Sequence, residues 1–106
     1  MKKIQENLKY FTSQHKDVYD AYKEYGKTIH EKGGPLDEKT RWLIKVSISA
    51  TEGYSFALIT HIQKALNAGV TLEEIEHTLL LLAPSVGFPR MMEALLIFRE
   101  EFVNKE

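Results

Sequence analysis

The sequence predicts an all-α fold, and three observations carry that reading. Apolar residues recur three and four positions apart along most of the 106 residues, as on one side of a helix. No stretch alternates polar and apolar residues with the period of two that a half-buried strand needs. Glycines and prolines fall between the periodic segments, where helices must end. About six helices follow, in a single domain spanning residues 1–106, with residues 1–32 forming N-terminal helices.

Ile4, Leu8 and Phe11 share a helical spacing, and after Ser13 the stripe Val18, Tyr22, Tyr25 and Ile29 predicts a second helix with a bend near Ser13. The Tyr19, Tyr22 and Tyr25 cluster reads as packing on that helix. Gly33, Gly34 and Pro35 end it, and Asp37 offers an N-cap carboxylate to the next. From Glu38 to about Thr51, Trp42, Leu43, Ile44, Val46, Ile48 and Ala50 cover more than one face, which predicts a central buried helix. Gly53 interrupts it, and Ser55 is placed to cap a helix carrying Phe56, Ile59, Ile62 and Leu66 that Gly69 terminates. Thr71 with Glu74 has the spacing of a capping box. The run Leu79 to Leu82 then meets Pro84, which must end or kink its helix, and Pro89 suits the first turn of a last helix through Met91, Leu95, Phe98 and Phe102. Met92, Leu96 and Val103 lie off that last stripe. Such surplus apolar surface on so short a chain predicts a homo-oligomer.

Composition excludes several function classes. Lys plus Arg number 14 against 15 for Asp plus Glu, so no net field draws a polyanion, and nucleic acid is not an expected partner. The apolar runs fall short of a membrane span, and Met1-Lys2-Lys3 is not followed by a signal-peptide core; the expectation is a cytoplasmic protein with no membrane partner. There is no cysteine, which removes thiolate metal sites, disulfides and any thiol nucleophile. Glu73 and His77 stand four apart, but two such residues on a polar helix face do not make a metal site; no metal and no cofactor is expected.

The segment from Leu36 to Phe102 resembles the carboxymuconolactone decarboxylase family, which is related to the alkyl hydroperoxidase D proteins. The resemblance rests on Leu36-Asp37-Glu38-Lys39-Thr40-Arg41 before a buried helix, on His61 near the start of the next, on Ala65 through Ile75, and on Gly87-Phe88-Pro89-Arg90 leading into Ala94-Leu95. It makes residues 36–103 the family core. It implies an alkyl hydroperoxidase D-like fold of paired helices, assembled as a symmetric ring, commonly a trimer or hexamer, with the site near subunit contacts. The chemistry of the peroxidase-like branch is missing: Tyr54 and Ala57 stand where that branch has its Cys-x-x-Cys pair, and Trp42 where it has a glutamate. A phenol, a methyl and an indole cannot exchange disulfides, so thiol peroxidase activity is not expected. The decarboxylase branch often has a glutamate one turn before the histidine, and here that place is again Ala57.

His61 is retained, and its imidazole titrates near neutrality, the property of a general acid and base. The alternative is a ring satisfied by a backbone carbonyl at a helix contact. Arg90 is a candidate to bind a substrate carboxylate in a two-point contact, or else forms an ion pair at the surface or between subunits. Tyr54 either donates a hydrogen bond to a bound oxyanion or fills volume. Glu52 either orients His61 or is solvated, and Trp42 either lines the cleft or fills the core. Two functions remain. One is a cofactor-free decarboxylase-like protein, a carboxy-lyase that binds a small carboxylate or lactone with His61 as acid and base. The other is a non-catalytic oligomeric scaffold or ligand-binding relative.

Overall fold

The computed structural model describes residues 2–104, and every regular element among them is helical. Six helices have nine residues or more: α1 Lys2–Gln14, α2 Lys16–Lys32, α3 Glu38–Glu52, α4 Ser55–Asn67, α5 Leu72–Leu80 and α7 Phe88–Phe98. A single turn, α6 Ala83–Val86, precedes α7, and a π-helical segment, Arg99–Val103, extends it. The chain divides into two compact units, Met1–Leu36 and Asp37–Glu106, at the end of the Gly-Gly-Pro loop.

In the first unit α1 and α2 follow one another with only His15 between them, and the bend expected near Ser13 falls at that residue. The Tyr19 ring packs edge-on to Phe11, with centroids 6.2 Å apart, and both residues are half-buried. Tyr22 and Tyr25, expected to pack, are instead 71% and 65% exposed, as is most of Val18. The reason is geometric. The contact with α1 uses the Tyr19 side of α2, so the stripe that gave the helix its periodicity is left open within this unit.

The second unit holds the core. Several of its helix ends carry a recognisable local signal. The Thr40 N–H donates to Asp37 Oδ1 at 2.8 Å and caps α3. Thr71 and Glu74 form the reciprocal capping box of α5, with Glu74 N donating to Thr71 Oγ1 at 3.0 Å and Thr71 N to Glu74 Oε1 at 2.8 Å. Gly69 ends α4 at φ 99°, so that Gly69 N reaches Leu66 O and Val70 N reaches Ala65 O, each at 3.0 Å, and the last carbonyls are satisfied. The cap of α4 differs from expectation: Tyr54 is the capping residue, without a side-chain bond, and Ser55 is already helical. Pro84 and Pro89 both fall in the first turns of their helices, where the missing N–H costs nothing.

Val46, Leu58, Ile62, Ile75, Leu79 and Phe98 are the largest wholly buried side chains, drawn from α3, α4, α5 and α7. The closest pairing is α3 with α4. The α3 helix is not buried all round, as its composition suggests: Val46, Ser49 and Ala50 face the core, while Ile44 and Ile48 are exposed. The last helix sorts its residues as its periodicity requires, with Met91 and Phe98 buried and Met92, Leu96 and Val103 exposed.

The two helix caps make stability acid-sensitive. The Thr40 N–H holds the Asp37 carboxyl below its ordinary value, and the Thr71 N–H does the same for Glu74. A carboxyl whose folded-state pKa is depressed contributes stability above the ordinary carboxylate range and loses it as pH falls through the folded value. The urea midpoint is therefore expected to drop on acidification through and below that range, and to drop less steeply in Asp37→Ala and Glu74→Ala. An equal slope in all three proteins would contradict this account.

Candidate functional site

Trp42, Lys45, Val46, Ser49 and Ala50 follow one another at the three- and four-residue steps of a single helical stripe on α3. Leu58, His61, Ile62 and Ala65 form the matching stripe on α4. Because the two helices pair along these stripes, the hydrophobic residues lock the contact and the polar ones among them are forced together. Ser49, only 2% exposed, places its Oγ 2.6 Å from His61 Nδ1. The same hydroxyl donates to the Lys45 carbonyl one turn back, at 3.0 Å. The Trp42 indole lies beside the His61 ring, with centroids 6.0 Å apart and planes tilted by 40°. The Lys45 Nζ sits over the other ring system of this group, 5.1 Å from the Trp42 centroid, within cation–π range. Partial burial, and then the neighbouring Lys64 charge, push the Lys45 ammonium pKa down.

Ser49 also lines a cleft between the end of α3 and the start of α7, together with Gly53, Ser55, Leu58, Arg90 and Glu93. Its enclosed space is about 20 Å³, room for a water or two and no more. Arg90 reaches this cleft from α7 and makes a long 3.5 Å contact with Glu93, an exposed pair of small energetic value. Gly53 faces the Arg90 guanidinium, which occupies the space a Cβ would need, and its φ is 74°. Gly53→Ala is therefore expected to lower stability by about 1–2 kcal/mol from the left-handed backbone alone, and to displace Arg90 besides. Urea unfolding of the variant measures the first effect; an unchanged midpoint would show that this turn tolerates a side chain.

Among the sequence-derived candidates, the fold brings Trp42 and His61 into one half-buried group and sets Arg90 on the far side of Ser49. Tyr54, 59% exposed, and Glu52, also exposed, stand at the α3–α4 turn. Ala57, half-buried, precedes His61 by one turn and contributes no polar group. Sequence reasoning passed over Ser49 and Lys45. The signal that finds them is register: once Trp42 is set on the face towards α4, positions three and seven residues later share it.

The arrangement provides an imidazole with a fixed partner, an aromatic wall with an ammonium over it, and a guanidinium in the neighbouring cleft that Ser49 also lines. Such a set can move a proton and hold an anion. Among the described residues no group of three or more His, Cys, Asp or Glu is placed to hold a metal ion, and no helix is long and apolar enough to cross a membrane. The profile of the carboxymuconolactone decarboxylase family matches residues 16–100. That match begins at Lys16, the first residue of α2, and so takes in α2 as well as the segment from Leu36 onward. An uncharacterized protein of Methanocaldococcus jannaschii is 30% identical over 78 residues, which cover 74% of this chain and 72% of that protein. No solved structure matches the chain significantly.

Proposed function

We propose, from the premise that the chain belongs to the carboxymuconolactone decarboxylase family, that it binds a small carboxylated or lactone compound and releases carbon dioxide from it without a cofactor. The observation that carries this reading is the half-buried His61, held by Ser49 at 2.6 Å beside Trp42. An imidazole fixed in this way is prepared for proton transfer, since its orientation need not be recovered at each turnover. When the carboxylate leaves as carbon dioxide, its bonding electron pair passes to an adjacent carbonyl or lactone and forms an enolate. His61 then gives a proton to the carbon that lost the carboxylate and regains one from solvent. The Lys45 ammonium, over the Trp42 ring that lies beside His61, holds the anionic end and stabilises the negative charge that develops. Among relatives that use cysteines the chemistry is thiol-based; a chain without cysteine has no such route.

Assembly belongs to the same proposal. Ile44 and Ile48 on α3 and Phe88, Met92 and Leu96 on α7 are exposed apolar residues at helical spacing. Their burial between subunits of a ring, trimer or hexamer, is the arrangement that removes them from water.

The test is turnover. Purified protein is incubated with a panel of β-keto acids and lactone carboxylates, with carbon dioxide release followed by a coupled assay and the product by NMR, alongside thermal unfolding with each compound. The expected result is release above the buffer rate for at least one compound that also raises the unfolding temperature. One observation favours a second reading, the non-catalytic scaffold: the Trp42 indole packs against the hydrophobic core, at the position where the resemblance to the peroxidase-like branch leads one to expect a glutamate. A panel that neither turns over nor stabilises the protein, while sedimentation reports an oligomer, would establish that reading instead.

A further inference from the structure

The Ser49 hydroxyl carries one proton and has two partners. One partner, the Lys45 carbonyl at 3.0 Å, can only accept. The other, His61 Nδ1 at 2.6 Å, can donate or accept. Both contacts are hydrogen bonds only if the hydroxyl proton points to the carbonyl, and the imidazole then carries its own proton on Nδ1 and donates it to Ser49 Oγ. Ser49 is 2% exposed, and the Lys45 carbonyl and His61 Nδ1 are the two protein groups within hydrogen-bond reach of its hydroxyl, although the cleft it lines has room for a water or two. The α3 helix fixes the serine as well: the Tyr54 N–H, beyond the left-handed Gly53, returns to the Ser49 carbonyl at 3.0 Å.

We propose that Ser49 is a positioning residue that holds neutral His61 as the Nδ1-protonated tautomer and so makes Nε2 the atom that accepts and returns the proton. The functional half of this inference rests on His61 being the acid and base; the tautomer does not. One consequence is mechanical. Nδ1 bears a proton in this neutral form and in the imidazolium alike, so Ser49 and Lys45 keep their hydrogen bonds as Nε2 gains or loses its proton. Proton transfer then requires no rearrangement of the buried partners. A second consequence is directional, because substrate must approach His61 from its Nε2 edge rather than through the Ser49 cleft.

The experiment is long-range ¹H–¹⁵N NMR on the full chain with ¹⁵N-labelled histidine, at a pH above the imidazole titration. The chain has four histidines, and the His61→Asn variant assigns the signal of interest by its loss. Wild type is expected to show a pyrrole-like Nδ1 and a pyridine-like Nε2. In Ser49→Ala the signals should move towards the Nε2-protonated form that a free histidine side chain prefers, and Ser49→Thr, which restores a hydroxyl, should recover the wild-type pattern. An Nε2-protonated His61 in wild type overturns the proposal, as does a Ser49→Ala spectrum with the tautomer unchanged. Should Ser49→Ala fail to fold, wild type and Ser49→Thr still decide it. Where a substrate is turned over, Ser49→Ala is expected to lower kcat about 10- to 100-fold, the range for partners that orient a functional histidine, with KM little changed. A wild-type spectrum as expected in a protein without turnover refutes the decarboxylase reading and leaves the tautomer intact.

Discussion

Phe98→Ala is expected to lower the unfolding free energy by about 3–5 kcal/mol, the range for removing a large aromatic side chain from a closed core. Phe98 is wholly buried and is the last residue of α7, where the helix widens into the π-helical segment. Its ring stacks on Phe102 with centroids 6.3 Å apart and planes within 29°. The α7 helix packs on α3, α4 and α5, so the void would open against three helices whose own side chains are already in contact. Little collapse is available to fill it, which places the cost towards the upper part of the range. Domains of this size have total stabilities of about 5–15 kcal/mol, so the variant would lie close to its unfolding midpoint in water. Urea unfolding followed by far-UV circular dichroism measures the loss. A loss below about 1 kcal/mol, as surface substitutions give, would mean that the core does not close around this ring.

The helices were legible because their signals are local. Asp37, the Thr71/Glu74 pair, Gly69 and Pro89 each act within one turn, and each occupies the role its chemistry suggested. The buried face of α7 was legible too, because periodicity alone separates Met91 and Phe98 from Met92 and Leu96. Two readings required information that periodicity lacks. The stripe of Val18, Tyr22 and Tyr25 specifies a helix but not which side of it meets α1, and the Phe11–Tyr19 contact turns the other side inward. The apolar richness of α3 suggested burial on all sides, although Ile44 and Ile48 face outward.

Of the candidate site, His61 and Trp42 were noticeable in the sequence, and Ser49 and Lys45 were not. His61 is noticeable as a residue type; Ser49 is a common residue in the middle of a helix. What sets it apart is that α3 and α4 pair in a register that puts position 49 opposite position 61, and register is a property of two helices packed together. Trp42 shows the converse. It was read as cleft lining or core filling; its ring lies 6.0 Å from His61 and packs against buried hydrophobics.

His61→Asn is expected to abolish most turnover while leaving the fold in place. The asparagine amide nitrogen falls close to the position of imidazole Nδ1 and can donate to Ser49 Oγ, so the buried serine keeps both of its partners. Nothing in asparagine replaces Nε2, and an amide does not titrate near neutrality. A general acid or base contributes about 10²- to 10⁴-fold to a rate, and the loss should fall within that span. His61→Ala gives the contrast. It removes the donor and the ring together, leaving a gap beside Trp42, so stability and turnover should fall in the same protein. The two variants separate a chemical role from a structural one. If the ring serves only to complete the α3–α4 contact, the asparagine variant will retain more than about a tenth of wild-type turnover, below the contribution of any general acid or base, and the stability of the two variants will be the only difference between them. If Nε2 carries the proton, asparagine and alanine will be equally inactive although one is stable and the other is not.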